Sequence, residues 1–254
     1  MNELVSIITP SYNTAKFIGK TIESAQAQTY QNWEMIIVDD CSSDNTDEVV
    51  AEYLSDTRII YIKNEKNSGA AVSRNKALRE AKGTWIAFLD SDDLWSSEKL
   101  EKQVRFMSEN GYHFSYTNYE EVDEQGHPLG VKVTGPKKVS KQGMYNYCYP
   151  GCLTVMYDAE HVGLIQIKDI KKNNDYAMWI KVCQKAECWL LDEYLGKYRK
   201  RSSSISRHSI KTMIGWHFKL WHEAEGENCI MSLWHTGWNL LFGFMKKKRY
   251  VERV

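Results

Sequence analysis

The stretch "WIAFLDSDDLW" (residues 85–95) sets the terms for the whole chain. Its first half, Trp85 to Leu89, is short and apolar, the composition of a strand covered on both faces. Its second half carries Asp90, Asp92 and Asp93 within four positions. Like charges packed that closely repel, and burying them costs on the order of several kcal/mol per ion unless a cation or hydrogen bonds compensate. A strand that ends in such a cluster points to a site beyond its carboxyl end.

Working outward, three more runs of the same kind precede it: "LVSIIT" (4–9), "EMIIVDD" (34–40) and "RIIYIKN" (58–64). Helical patterns fill the gaps at about 16–28, 44–54 and 69–82, and a fourth follows at 96–109. Asp44 is placed to cap the second, with Asp47 and Glu48 in its first turn, and Asn110-Gly111 is a stop signal for the fourth. The alternation predicts an α/β fold, a Rossmann-like, mostly parallel sheet flanked by helices. Ligands of such sheets bind beyond the carboxyl ends of the strands. All four predicted ends are polar there: Thr9 to Asn13, Asp39 and Asp40, "NEKNSGAAVSRN", and the acidic cluster.

Residues 112–200 read as mixed α and β. "YHFSYTNYEEV" and "CLTVMYD" are strand-like, 130–143 reads as a mobile loop, 173–186 as a helix, and "CWLLDEYLGKYRKR" as one more strand. From 208 on the chain is helical and rich in tryptophan. Ile210, Ile214, Phe218 and Trp221 follow one face, and Trp234, Trp238, Leu241 and Met245 another. The expected division is 1–110, 111–205 and a C-terminal helical extension, 206–254.

Composition narrows the function classes. A formal net charge of +0 offers no global field for nucleic acid, so none is expected as a partner. There is no signal-peptide pattern and no run of the roughly 18 apolar residues a membrane span needs, so the expected location is the cytoplasm. The six cysteines match no zinc spacing and read as reduced thiols. Neither G-x-G-x-x-G nor a P-loop occurs.

Four elements occur in order: Pro10-Ser11-Tyr12-Asn13, Val38-Asp39-Asp40-Cys41-Ser42-Ser43-Asp44, Asn67-Ser68-Gly69 through Ser73-Arg74-Asn75, and Asp90-Ser91-Asp92-Asp93. Each alone is compatible with a turn or a helix cap. Together they resemble family 2 glycosyltransferases, inverting enzymes of the GT-A fold. Ser73 stands where that family usually has Ala, and Cys41 where it usually has Gly. The resemblance implies that Thr9, Pro10 and Tyr12 border a nucleoside and that Asp40 accepts the uracil imide N–H. It places Arg74 beside base and phosphates, Asp92 on the ribose, and Asp92 and Asp93 on a divalent metal. Hard carboxylate oxygens suit Mn²⁺ or Mg²⁺, which would neutralise the crowded acids.

The same resemblance places a general base at the start of the helix near 173. Asp175 occupies that position, with Asn174 where the family usually has an acid. The basic loop 198–208, with Arg199, Arg207 and His208, resembles the one that closes over the diphosphate. Tyr145, Tyr147, Tyr149 and Trp179 are candidates for lining an acceptor pocket. The segment 246–254, with five basic residues and one acidic, resembles an interfacial anchor following amphipathic helices. A helical pair packed on the domain is the other reading.

The function expected is metal-dependent, inverting transfer from a UDP-sugar to a saccharide or lipid-linked saccharide in surface polysaccharide assembly. Peripheral contact with the plasma membrane's inner face and self-association are held open. The alternatives are a nucleotidyltransferase that makes nucleotide sugars and a glycosyltransferase-like domain that only binds.

Overall fold

A computed structural model describes residues 3–201 and 210–253. Four parallel strands come first: β1 (Val5–Ser11), β2 (Trp33–Asp39), β3 (Ile59–Lys63) and β4 (Trp85–Phe88), in the order β4-β1-β2-β3. Helices α1 (Ile18–Gln26), α2 (Thr46–Ala51) and α3 (Ala70–Glu80) connect them. Successive side chains point to opposite faces of a strand, so both faces need cover. On one face Val5, Ile7, Met35 and Ala87 pack with Ile18 and Ile22 of α1 and with Leu100 and Val104 of α4 (Lys99–Asn110). On the other, Ile8, Ile36, Val38 and Phe88 pack with Ala77 and Leu78 of α3. Trp179 joins them from α7 (Asn174–Cys183). As the sequence indicates, α4 ends at Gly111, whose φ of 64° is one that glycine adopts without penalty.

The rest of the sheet is largely antiparallel. Strand β6 (Phe114–Val122) pairs with β7 (Pro128–Val133) and with β9 (Met156–Asp158), and β9 joins β4. The long β10 (Cys188–Arg199) runs parallel to β6 and antiparallel to two short strands, β5 (Leu94–Trp95) and β8 (Lys138–Val139). The segment 130–143, expected as a loop, instead holds the end of β7, then β8, and the start of α5 (Lys141–Asn146). Strand β7 forms a local hairpin with β6, whereas β8 draws its hydrogen bonds from β10, far along the chain.

Between α5 and α7 lie a 3-10 turn (Cys152–Thr154) and the short helix α6 (Ala159–Val162). The C-terminal extension is α8 (Ile210–Lys219), a π-helical turn (Leu220–Ala224), α9 (Cys229–Arg249) and β11 (Val251–Arg253), which pairs with β7. Trp221 enters the main core, which joins Ile8, Tyr116, Trp179 and Trp221 in one cluster. No helix of the described residues is long and apolar enough to cross a membrane.

Candidate active site

The strand ends build a rim. Pairing of β1 with β4 stops at Ile8 and Phe88, and Leu89 N–H closes it by donating to Ile8 O. Alternation points Pro10 to the side that β4 has already left, so its missing N–H costs no ladder bond. Tyr12, just past β1, is 48% exposed, while Thr9 below it is buried, its Oγ1 without a hydrogen-bond partner among the described residues. Asn13 N–H donates to Ser42 Oγ at 2.8 Å and Asn13 Oδ1 accepts from Ser43 N–H at 2.9 Å, tying the first two strand ends together. Asp44 accepts from Thr46 N–H at the start of α2 and from Ala15 N–H.

Asp40 is buried and its carboxylate accepts from Asn64 Nδ2, Ser68 N–H and Gly69 N–H at 2.7–2.9 Å. A carboxylate offers about four acceptor positions, so about one is left for a ligand. The bonds pin the loop that ends in Gly69, whose φ of 92° turns the chain into α3.

The three acids of the "DSDD" turn part ways. Asp90 faces the rim, 28% exposed, and accepts from Arg74 Nη2 at 2.6 Å. Asp92 is paired with Arg201 Nε at 2.8 Å. Asp93 turns inward, 1% exposed, and accepts from Arg199 N–H at 2.8 Å. Burial, then the charges of Asp92 and Asp90, pushes the Asp93 carboxyl well above its ordinary range. Burial also raises Asp92, against the pull of Arg201. The turn meets the arginines because β5 and β10 pair antiparallel, Trp95 with Gly196 and Leu94 with Lys197. Continuing that register sets Arg199 across from Asp92, whose carbonyl accepts from Arg199 Nε at 2.7 Å.

Arg74 joins the turn to a distant helix. Its Nη1 donates to Asn174 Oδ1 while Nη2 holds Asp90. Burial works against its charge, but Asp90, Cys152 and Asp175 outweigh it and hold the guanidinium above its ordinary value. Asp175, half-buried, opens α7 behind Asn173, which has a left-handed φ of 58°, and Asp175 Oδ1 accepts from Tyr176 N–H at 2.8 Å. The thiols flanking this space are raised as well: Cys148 by burial and then Asp175, Cys152 by burial and then Asp90. Asn174 accepts from the Arg74 that holds Asp90, and Tyr176 Oη donates to Met144 O at 2.7 Å, so the start of α7 lies between the acidic turn and the segment that follows residue 144.

The acceptor candidates divide. Tyr147 and Tyr149 lie edge to face at 5.5 Å on that segment. Trp179 is fully buried, 4.9 Å from Phe88, so it is core and not a pocket wall. Arg199 is at the site, while Arg207 and His208 lie outside the described residues. Sequence pattern alone does not single out Arg201 or the contact of Arg74 with Asn174. The basic run that holds Arg201 was visible, but its partner is set by strand register.

Residues 6–147 match the family described as Glycosyl transferase family 2. The chain is 43% identical over 210 residues to TuaG of Bacillus subtilis (strain 168), a glycosyltransferase named for teichuronic acid biosynthesis, covering 82% of this chain and 83% of that one. It is 40% identical over 212 residues, 83% and 82% of the two chains, to WfgD of Escherichia coli. That relative is named a UDP-Glc:alpha-D-GlcNAc-diphosphoundecaprenol beta-1,3-glucosyltransferase. Among solved structures, S. aureus TarS 1-349 in complex with UDP superposes with a TM-score of 0.71 at 21% identity, over 96% of this chain and 73% of that one. The likeness establishes the GT-A fold.

Proposed function

This chain belongs to glycosyl transferase family 2, and from that premise we propose an inverting, metal-dependent enzyme that moves sugar from a UDP-linked donor to a lipid-linked saccharide. The reading sets this chemistry in surface polysaccharide assembly, at the cytoplasmic face of the plasma membrane. The names of TuaG and WfgD support the pathway and the lipid-linked acceptor. Membership sets aside the nucleotidyltransferase, and the intact Asp90, Asp92 and Asp175 favour turnover over binding alone.

In this reading residues 1–110 bind the donor, 111–205 supply the acceptor site and the catalytic base, and 206–254 form the C-terminal extension. Thr9, Pro10 and Tyr12 border the nucleoside. The unpartnered Thr9 Oγ1 is a polar group awaiting one. Asp40 serves the base directly with its remaining acceptor position and indirectly by fixing the loop before α3.

Mn²⁺ or Mg²⁺ fits the donor set in part. Asp90 and Asp92, each engaged by one arginine, keep hard oxygens partly exposed at the rim, whereas Asp93 is buried and accepts from Arg199 N–H. No group of three or more His, Cys, Asp or Glu able to hold a metal occurs among the described residues, so Asp90 and Asp92 would hold the ion together with oxygens of the donor. We therefore assign the metal to Asp92 with Asp90, and Asp93 to support of the turn. Such an ion, when bound, acts as a Lewis acid that offsets charge on the leaving diphosphate. Arg74 and Arg201 hold the acids and the diphosphate in place.

Asp175 takes the proton of the acceptor hydroxyl as its oxygen attacks the anomeric carbon from the side opposite the diphosphate. The C–O bond to the acceptor forms, the bond to the diphosphate breaks, and the configuration inverts. The observation that carries this reading is the Arg74 bridge, one guanidinium touching both Asp90 and the residue preceding Asp175. In Asp175→Asn, transfer should slow roughly 10²–10⁴-fold while Mn²⁺-dependent UDP binding by calorimetry stays unchanged. Wild-type turnover in that variant removes Asp175 as the base.

A further inference from the structure

Helix α9 is amphipathic the wrong way round for a helix packed on a soluble core. Its inward side carries Ser232, Thr236, Asn239 and Lys246. Its outward side carries Ile230, Leu233, Trp234, Leu241, Phe244 and Met245, all more than 40% exposed. Ile230, Trp234, Leu241 and Met245 are spaced by one or two helical turns, with Leu233 and Phe244 beside them, so the six share one face of the helix.

Specific bonds fix this rotation. Asn239 Nδ2 donates to Tyr145 O and Asn146 O at 3.0 and 2.8 Å, and Asn239 Oδ1 accepts from Trp221 Nε1 at 2.9 Å. Lys246 Nζ donates to Tyr149 O at 3.1 Å. Gly243 lets the helix approach Tyr147, whose ring a β-carbon there would meet at 2.9 Å. Turning the helix to bury its apolar side would break all of these, and β11 holds the segment after it on β7.

A continuous apolar stripe of this extent on a helix surface marks an interaction face. Its charge says with what. The outward stripe runs into Lys247, Lys248 and Arg249, all exposed, in a chain whose formal net charge is +0. Apolar and tryptophan side chains along a helix that ends in exposed cations match an interface with acyl chains below and anionic headgroups above.

We propose that the outward face of α9 lies flat on an anionic lipid surface. The inward face touches Tyr145, Asn146 and Tyr176, and Tyr176 follows Asp175 in the chain. One helix thickness, about 10 Å, therefore separates the lipid plane from the acceptor segment. A sugar raised above that plane on a lipid diphosphate reaches the base without leaving the membrane. The placement of the acceptor rests on the function proposed above, whereas the docking does not depend on transfer.

Flotation on vesicles of phosphatidylglycerol and phosphatidylethanolamine, and of phosphatidylcholine alone, tests it. Wild-type protein should float with the anionic vesicles at least roughly tenfold better than with phosphatidylcholine. The triple variant Trp234→Ser, Leu241→Ser, Phe244→Ser should lose roughly tenfold or more of that binding, and so should Lys247→Glu with Lys248→Glu. UDP-induced thermal stabilisation should match wild type in both variants, showing that the fold and donor site persist. Wild-type protein that stays in the aqueous phase, or a triple variant that floats as well as wild type, overturns the proposal. A wild-type dimer in sedimentation velocity that the triple variant splits, with no vesicle binding, assigns the face to a second copy and overturns it too. If UDP stabilises no form of the protein while vesicles still bind, the donor reading fails and the docking stands.

Discussion

Two buried cations lie in different regions of the fold. At the rim, Arg74 is 7% exposed and holds Asp90 and Asn174. At the start of α4, Lys99 is fully buried, and its ammonium has no hydrogen-bond acceptor among the described residues, only the Trp95 ring at 3.9 Å. Their titration moves in opposite directions. Arg74 is held above its ordinary value against burial, while burial pushes Lys99 well below its own. A desolvated cation–π contact contributes about 2 kcal/mol, less than the several kcal/mol that burying an ammonium costs. Depth does not distinguish these sites; the partner does.

The strongest way to break the contrast is Arg74→Met. It leaves Asp90 and Asn174 without their donor, so stability should fall by about 3 kcal/mol, the lower end for a broken buried pair because Asp90 can rehydrate. Transfer should fall with it, read in urea unfolding and turnover. If turnover stays at the wild-type level, the bridge is packing alone.

The acidic turn sharpens the contrast next. Asp92→Asn should weaken Mn²⁺-dependent UDP binding by roughly 10-fold or more, whereas Asp93→Asn keeps an acceptor for Arg199 N–H and should weaken it less than Asp92→Asn does. Calorimetry in the presence and absence of Mn²⁺ checks the order, and the reverse order returns the metal to Asp93.

Lys99→Met should change stability with the opposite sign to Arg74→Met, gaining about 1–3 kcal/mol. Because the native pKa is depressed, the unfolded chain binds more protons between that value and the ordinary lysine pKa. Wild-type stability should therefore rise with pH across this window, by up to about 1.4 kcal/mol per pH unit. Lys99→Met should flatten that rise in chemical-denaturation curves taken along a pH series, and an unchanged slope refutes the assignment.

The smallest effect belongs to Cys41→Gly. Cys41 holds a φ of 62°, a conformation that costs a residue with a β-carbon about 1–2 kcal/mol. Glycine there should raise the melting temperature by a few degrees and leave UDP binding intact.

The parallel half was legible because its signals are local. Each apolar run ends in its own polar cluster, and Arg74 contacts both Asp90 and Asn174. What stayed hidden depends on pairings across long stretches of chain. The segment 130–143, rich in Gly, Lys and Val, reads as loop because β8 and the end of β7 complete their pairing with β10 and β11, far along the chain. Arg201 reads as one basic residue among several until β5 pairs with β10. Helix α9 was evident from its periodicity, but not its rotation. The Trp234 stripe fits either an interfacial or a packed helix, and Asn239 and Lys246, bonded to the 145–149 segment, show that it faces outward.

The shared guanidinium also limits how this scaffold can be re-engineered. Positions 74, 90 and 174 form a three-part lock whose members come from three separate segments. A chimera that imports a relative's acceptor helix, with an acid at 174, would bring a second carboxylate to an arginine already engaged by Asp90. Grafts should carry the three positions as a set.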